Sequence, residues 1–581
     1  MVWNTALLLL AAAAAPEISL DPDPAKWQRR GDTAQASIEG GVLAVGPWRE
    51  GSWSARWEYR ERLNVLQGMV KGQLRTHGLH PRQAVVRIQF HQGEKSLSTR
   101  NYPLPASPGW RDFEIPVFRP PAGCDSIMVA FGLSEKAEGR VEFRNLRVSR
   151  NYRPPEYPAE PQLVRPAPPV RVHGGPYVNV ENHNGAWWLI TPSGEPFFSI
   201  GTLTGSGNEE KAFEILQKLG FNSVAGSHNV QRWAAFNEAQ SKAGKPVIYQ
   251  FRTLETRVGD EYDTLVNAAG ENPGRPQAQA AAAGGFNHAF PDPYDPRWQE
   301  SFRKRVRAIA EVVRGKSYFA AWFVDNEREH RDIHRYVWSR HCAPELRRFL
   351  EEKYGAKIAA LNRAWGSNYA SFDDLMAKKP DPVARHGPMY EDFRLFSREI
   401  IRTFNQITIQ VIRHEDPGRL IFSNRFMLGE PRDTLENLDL YREFDAIAVN
   451  IYPSNIAAGL DEAERQMLIQ IHERTSKPLI IGEWSVPALD SGLYNNPNRL
   501  DWSYPQTVET QTQRARQAAK ILADLYNLPF VIGAHWFTWK DFDSPVRQAN
   551  RGLFKANDEP WTELQEALAK LHSRMHKPKG P

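Results

Sequence analysis

Between Phe197 and Phe537 short apolar runs alternate with amphipathic segments eight times, and nothing else in this 581-residue chain restricts its fold as much. The runs are Phe197–Gly201, Asn222–Ala225, Pro246–Phe251, Ala320–Glu327, Leu420–Asn424, Ala446–Tyr452, Pro478–Glu483 and Phe530–Phe537. Between them, stretches such as Glu209–Leu219, Trp298–Val313, Pro344–Tyr354, Arg394–His414 and Thr510–Tyr526 carry apolar residues at helical spacing. Helix stops precede several runs, with Gly220 before the second, Pro246 opening the third and Pro478 opening the seventh. A strand apolar along nearly its whole length fits a parallel sheet covered on both faces. Eight such strands close into a (β/α)8 TIM barrel, an α/β fold, here over 177–575. A doubly wound open sheet is the rival. Two stretches depart from the repeat. Arg252–Pro291 contains GRPQAQAAAAGG, which reads as a mobile loop on the catalytic face. Gly387–Asp392 falls within the long connection between the fourth and fifth strands.

Ahead of the repeat, seven prolines lie between Pro154 and Pro169. Proline fixes φ and removes a donor, so this stretch is neither helix nor central strand. It reads as a stiff linker, 151–176, or as a strap along a domain surface. Residues 17–150 hold period-two runs such as Ala84–His91, Arg111–Val117, Ser126–Phe131 and Arg140–Val148, separated by Gly/Pro turns. That pattern predicts an all-β antiparallel sandwich. Residues 1–15, with the apolar run Ala6–Ala15 and small residues before Pro16, read as a signal peptide without Lys or Arg in its n-region. The expected location is therefore secreted or periplasmic. No other segment is apolar and long enough to span a bilayer. Cys124 and Cys342 fall in different predicted domains, so no disulfide is expected, and no Cys-x-x-Cys exists for a thiolate zinc cluster. The 73 basic residues exceed the acidic ones by only 5, with no basic block, so a nucleic-acid footprint is unsupported.

Chemistry in a barrel sits at the C-terminal ends of its strands. Two strand ends carry a glutamate after a run that wants to be buried: Trp322-Phe-Val-Asp-Asn326-Glu327 on the fourth and Leu479-Ile-Ile-Gly482-Glu483 on the seventh. A charge at the margin of an apolar core costs free energy unless it is paired or used. The two lie 156 residues apart, three repeats of 52, and strands four and seven face each other across a barrel mouth. Facing carboxyl groups suit glycosidic cleavage. A gap of about 5–5.5 Å implies retention through a glycosyl-enzyme, and about 6.5–9.5 Å implies inversion.

In AAWFVDNE (320–327), KYGAKIAALNRAWG (353–366), KPLIIGEWS (477–485) and GAHWFTWKDF (533–542), the chain resembles the clan A retaining glycoside hydrolases. Within the clan it is most similar to the β-agarase type, then to β-galactosidases of similar layout. The absence of the cysteine zinc cluster common in those β-galactosidases favours the agarase side. The tail Gly139–Val148 is similar to the closing strand of jelly-roll carbohydrate-binding modules. The resemblance implies a jelly-roll sandwich followed by the barrel, no cofactor and no metal, and a galactose-containing polysaccharide or oligosaccharide substrate. It implies Glu327 as acid/base with a raised pKa, Glu483 as an ionised nucleophile, and Asn326 as the partner of the sugar 2-hydroxyl.

Substrate contacts are expected from residues at the other strand ends. Tyr452 is placed to bond Glu483. Trp536 offers a ring face for sugar C–H groups. His535, Asn424, Arg425, His228 and Asn229 are further contacts, with Asp541 and Asp543 in reserve. His330 and His334 are spaced i, i+4 as in a zinc protease helix, but Arg331 stands where the general base belongs. The alternatives to a hydrolase are a glycan-binding scaffold with an idle barrel and, last, a zinc metalloprotease.

Overall fold

The computed structural model describes residues 17–576 except 21–22, 32–34, 49–54, 136, 170, 205–208, 256–261, 273–289, 329, 331, 384–385, 429–434 and 495–503. The expected signal peptide and GRPQAQAAAAGG lie outside the described residues. The chain divides into two compact units, Met1–Pro155 with Glu462–Gln466, and Glu156–Asp461 with Met467–Pro581.

The first unit stacks two antiparallel sheets. One contains Ala36–Glu39, Val42–Val45, Arg140–Ser149, Gly68–His77 and Arg111–Val117, with Ile18–Ser19 paired to its central strand. The other runs Trp27–Arg30, Ala55–Tyr59, Ser126–Leu133, Ala84–Gln92 and Lys95–Pro103. Alternation sends every second side chain inward. Phe131 of the second sheet meets Phe113 and Phe143 of the first at 6.3 and 5.4 Å between ring centroids.

In the second unit eight strands pair in parallel and in chain order: β1 (Ser199–Leu203), β2 (Ser223–Gly226), β3 (Tyr249–Leu254), β4 (Phe319–Val324), β5, β6 (Ile447–Asn450), β7 (Leu479–Trp484) and β8 (Val531–Trp536). β5 comes in two pieces. Leu420–Phe422 pairs with β4 and Phe426–Met427 pairs with β6, while β8 pairs back to β1. The ring of pairings is therefore closed, and strand order nowhere reverses as a doubly wound sheet requires. Small and aromatic residues fill the cylinder: Ala225, Phe251, Ala321, Phe323, Phe422, Ala448, Ile480 and Ile532 form one buried cluster.

Helices cover the outside. They are α1 (Glu209–Lys218), α2 (Val230–Lys242), α3 (Pro296–Val313), α4 (Cys342–Lys353), α5 (Ile358–Trp365), α6 (Phe372–Lys378), α7 (Gly387–Glu415), α8 (Glu462–Thr475), α9 (Gln511–Asn527) and α10 (Thr562–Met575). Gly387–Asp392, read as a departure from the repeat, is the first turn and a half of α7. No helix among the described residues is long and apolar enough to cross a membrane.

A three-stranded sheet, Asn179–His183, Ala186–Ile190 and Pro196–Phe197, closes the floor. Its Val178 flank and Leu189 join the interior cluster. From Glu156 onward the proline-rich stretch is a strap on the barrel unit. Arg165 is 1 % exposed and donates through Nη1 to the carbonyls of Tyr526 and Leu528, with Trp188 under its guanidinium at 4.3 Å.

Candidate active site

β4 ends by turning sharply. Asp325 and Glu327 both take positive φ, 77° and 50°, a conformation that costs a non-glycine residue about 1 kcal/mol. Local bonds hold the turn. Asn326 N–H donates to Asp325 Oδ1, the Glu327 N–H donates to the Arg425 carbonyl at 3.1 Å, and Arg328 pairs with Asp325 at 2.8 Å in a buried ion pair. The result turns Glu327 off the strand at the rim.

Glu483 is the fifth residue of β7 and 4 % exposed. Its register partner on β6 is Asn450. The Asn450 amide donates to Glu327 Oε1 at 2.8 Å and to Asn326 Oδ1 at 3.1 Å. Glu327 and Glu483, far apart in sequence, are thus joined through one asparagine at one end of the cylinder. Tyr452, two residues on and so on the same side of the strand, donates its hydroxyl to Glu483 Oε2 at 2.5 Å. Burial and the nearby Glu483 charge push the Tyr452 phenol well above its usual range, so it keeps the proton it donates. Arg425 places Nη1 3.0 Å from Glu483 Oε1 without lining up an N–H, which makes the contact one of charge. Arg551 lies over the Tyr452 ring at 4.5 Å.

Burial pushes the Glu483 carboxyl up to about 7, and the Glu327 charge adds to it; Arg425 first, then the Tyr452 hydrogen bond and Arg551, pull the other way. The free site therefore holds Glu483 close to its own titration at neutral pH. The position is drier than an ionised nucleophile requires, and burial is the chief reason.

Several expected substrate contacts are corrected by their surroundings. Trp536 points outward into the helix layer, 1 % exposed, edge-on to Trp484 at 4.8 Å, with its N–H on the Arg551 carbonyl. It offers no ring face to a ligand. His535, next along β8, points inward and is fully buried between Ser199 Oγ and the rings of Phe251 and Phe323. Burial lowers its pKa to about 3, so it is a neutral core residue. Asn424 spends its amide on both backbone groups of Arg328. His228 is buried on Gln250 and also lowered by burial to about 3. Asn229 caps α2, accepting from the Arg232 N–H. Arg425 serves Glu483 rather than a sugar. Asp541 is a buried hub for Gly552 N–H, Trp561 Nε1 and Asn550, and Asp543 accepts from Gln548.

The rival metal motif also dissolves. His330 is buried against the Tyr441 hydroxyl and lowered by burial to about 3, while His334 packs on the Tyr390 ring. Among the described residues the atoms close enough to share an ion belong to Asp263, Asp295 and His341, and Arg297 already lies 3.0 and 2.8 Å from those two carboxylates.

The rim geometry agrees with what the chain is similar to. A family model described as Beta-galactosidase, Glyco_hydro_42, matches residues 277–526, which include both glutamates. The chain resembles the β-agarases. It is 24% identical over 467 residues to Beta-agarase A of Vibrio sp. (strain JT0107), covering 68% of this chain and 45% of that one. It therefore spans under half the length of that relative. Beta-galactosidase Bga of Halorubrum lacusprofundi is 29% identical over 173 residues, 29% of this chain and 24% of that one. Among solved structures, an agarase, AgWH50C, superposes with a TM-score of 0.58 at 15% identity, covering 96% of this chain and 99% of that one. An exo-beta-agarase gives the same score and identity over 97% and 99%. Such likeness establishes a shared fold across nearly the whole chain.

Proposed function

We propose that this protein is a secreted, retaining β-glycoside hydrolase that cleaves galactose-containing polysaccharides or oligosaccharides, in the manner of the agarases it resembles. The observation that carries this reading is the joining of Glu327 to the Glu483 strand position through Asn450, at the barrel end where such folds do their chemistry.

Glu327 protonates the glycosidic oxygen as the bond to the anomeric carbon breaks, and Glu483 attacks that carbon. Glu327 then takes a proton from water as the glycosyl-enzyme is hydrolysed. Asn450 holds Glu327 through Oε1 and so orients the acid toward the leaving oxygen. Tyr452 and Arg425 support the carboxylate that attacks. Asn326, held by the same Asn450 amide, presents its side chain to the sugar 2-hydroxyl, where a bond that tightens in the transition state accelerates the reaction. In this reading the N-terminal sandwich is a jelly roll similar to carbohydrate-binding modules, and the chain reaches its polymer outside the cell behind a cleaved signal peptide.

Glu483→Ala tests the assignment. It should abolish hydrolysis of aryl β-galactosides and agarose while leaving the circular-dichroism spectrum unchanged. Added azide should restore turnover and give a glycosyl azide of inverted configuration. Full activity of that variant overturns the reading. Binding of agarose by the wild-type protein without release of reducing ends would instead establish a glycan-binding scaffold.

A further inference from the structure

Arg425 touches both halves of the site. Its carbonyl accepts the Glu327 N–H, and its guanidinium lies on the Glu483 carboxylate. The side chain is 3 % exposed, and a buried guanidinium needs a counter-charge. Its Nε and Nη1 have no hydrogen-bond partner, so these donors are not spent on structure.

The chain goes out of its way to place this residue. β5 is interrupted between Phe422 and Phe426, and in the gap Arg425 bridges in parallel to Asn326 rather than continuing the strand. On β7 the residue before Glu483 is glycine, among neighbours Ile480, Ile481 and Trp484. A Cβ at Gly482 would stand 2.4 Å from Arg425 Cδ and 2.9 Å from Cγ. The arginine stem therefore runs through the space that any other residue at 482 would fill.

We propose that Arg425 is the positioning residue of Glu483, threaded past Gly482 so that its guanidinium supplies the counter-charge that favours the ionised carboxylate while its backbone fixes Glu327. As an account of a hydrolytic centre it rests on the function proposed above and deepens it. The charged and titratable groups that face Glu483 are Arg425 from β5, Glu327 beyond β4, Tyr452 beyond β6 and Arg551 from the loop after β8. Tyr452 is neutral, Arg551 lies over its ring at 4.5 Å, and Arg425 reaches the Glu483 carboxylate at 3.0 Å and acts on it more strongly than Arg551.

The test titrates Glu483 in wild-type protein, Arg425→Met, Arg425→Lys and Gly482→Ala. It has two readouts: the acid limb of kcat/KM, and the pH at which the stability gap between each protein and its E483Q counterpart changes. The second needs no activity. Removing an opposite charge in contact should move the midpoint up by about one pH unit or more in Arg425→Met, so kcat/KM should fall about tenfold further at pH 6 than at pH 8.5. Arg425→Lys should fall between wild type and Arg425→Met. Gly482→Ala, which keeps the charge but displaces it, should move the midpoint in the same direction by less. If Arg425→Met does not fold, the other two variants decide. A folded Arg425→Met or Gly482→Ala with the wild-type midpoint overturns the proposal. A wild-type protein that hydrolyses no glycoside defeats the function proposed above, but leaves the stability titration to judge Arg425.

Discussion

Glu483 sits where a carboxylate is least at ease, and that has a measurable price in stability. The group ordinarily titrates at 4.5 and is pushed up to about 7 in the fold, chiefly by burial. Between those values the unfolded chain has lost a proton that the folded chain still holds, so raising the pH through this window favours unfolding. Below 4.5 there is no penalty, and above about 7 it is complete. At about 1.4 kcal/mol per pH unit the full cost is about 3 to 4 kcal/mol, most of which develops between pH 5 and pH 8. Glu483→Gln is neutral at every pH and escapes it. Relative to wild type, the variant should therefore gain about 2 to 3 kcal/mol from pH 5 to pH 8. For a barrel unit of about 400 residues that widens the gap in apparent Tm by about 3 °C. The assay is differential scanning calorimetry of both proteins at matched scan rates, because a protein of this size can unfold irreversibly. Histidines and other titrating groups that do not interact with Glu483 cancel in the comparison, and any fixed cost of the amide appears equally at both pH values. A gap that does not change with pH, or wild type gaining on the variant as pH rises, refutes the account of the site as one that binds its nucleophile under strain.

The remaining predictions concern the groups around that carboxylate and the strap. Tyr452→Phe removes a hydrogen bond to a charged group worth about 1.5–3 kcal/mol, so kcat should fall about 10- to 100-fold and the acid limb should rise; an unchanged pH profile counts against its contact with Glu483. Asn450→Ala releases both Glu327 and Asn326, and should lower kcat/KM by about 10- to 100-fold for poor leaving groups and much less for dinitrophenyl glycosides, which need no protonation. Equal losses on both substrates would show that Asn450 does not act through the acid. Arg165→Ala strips the charged donors from the Tyr526 and Leu528 carbonyls at the end of α9, and should cost about 3 kcal/mol of stability with kcat at low temperature unchanged; an unaltered melting curve would mean the strap is only draped on the barrel.

The barrel was legible because its strands are buried on both faces and so read as unbroken apolar runs. β2, β4, β7 and β8 fall within three residues of their expected bounds at either end. The first run also falls within two residues of β1 at either end, and it starts early for a physical reason. Phe197 is apolar, but it belongs to the floor sheet and stacks on Tyr249 at 4.7 Å, while β1 begins two residues later. The floor itself went unread. Ala186–Ile190, AWWLI, is as apolar as any barrel strand, yet nothing local tells a strand that closes a cylinder from one that lines it. The same holds for the fifth strand. Read as Leu420–Asn424, it gives no local sign of its second piece, Phe426–Met427, which the need to reach two neighbours in different places sets beyond a gap at Ser423–Arg425.

At the site, position along a strand was legible and direction was not. Every strand-end polar residue was a fair candidate when only its distance from the rim was considered. Successive residues point to opposite faces. Of the neighbours His535 and Trp536, one turns into the core and the other into the helix layer, and neither faces a ligand. The same rule, applied forwards, would have found what was missed. Tyr452 was chosen at the end of the sixth strand; Asn450 is two residues earlier, hence on the same side and one step deeper, where an amide can reach the neighbouring strand ends. It bonds Glu327 and Asn326 together. A glycine was the other overlooked signal. Gly482 interrupts a buried apolar run immediately before a glutamate, and a residue without a side chain at such a point marks close approach by something else. Here it is the stem of Arg425, coming from a strand that is split in two. The two irregularities, a missing side chain on β7 and a missing stretch of strand on β5, are therefore one feature. Each makes sense only when the other is in place, and together they bring a cation to the carboxylate that the apolar run would otherwise have left buried without one.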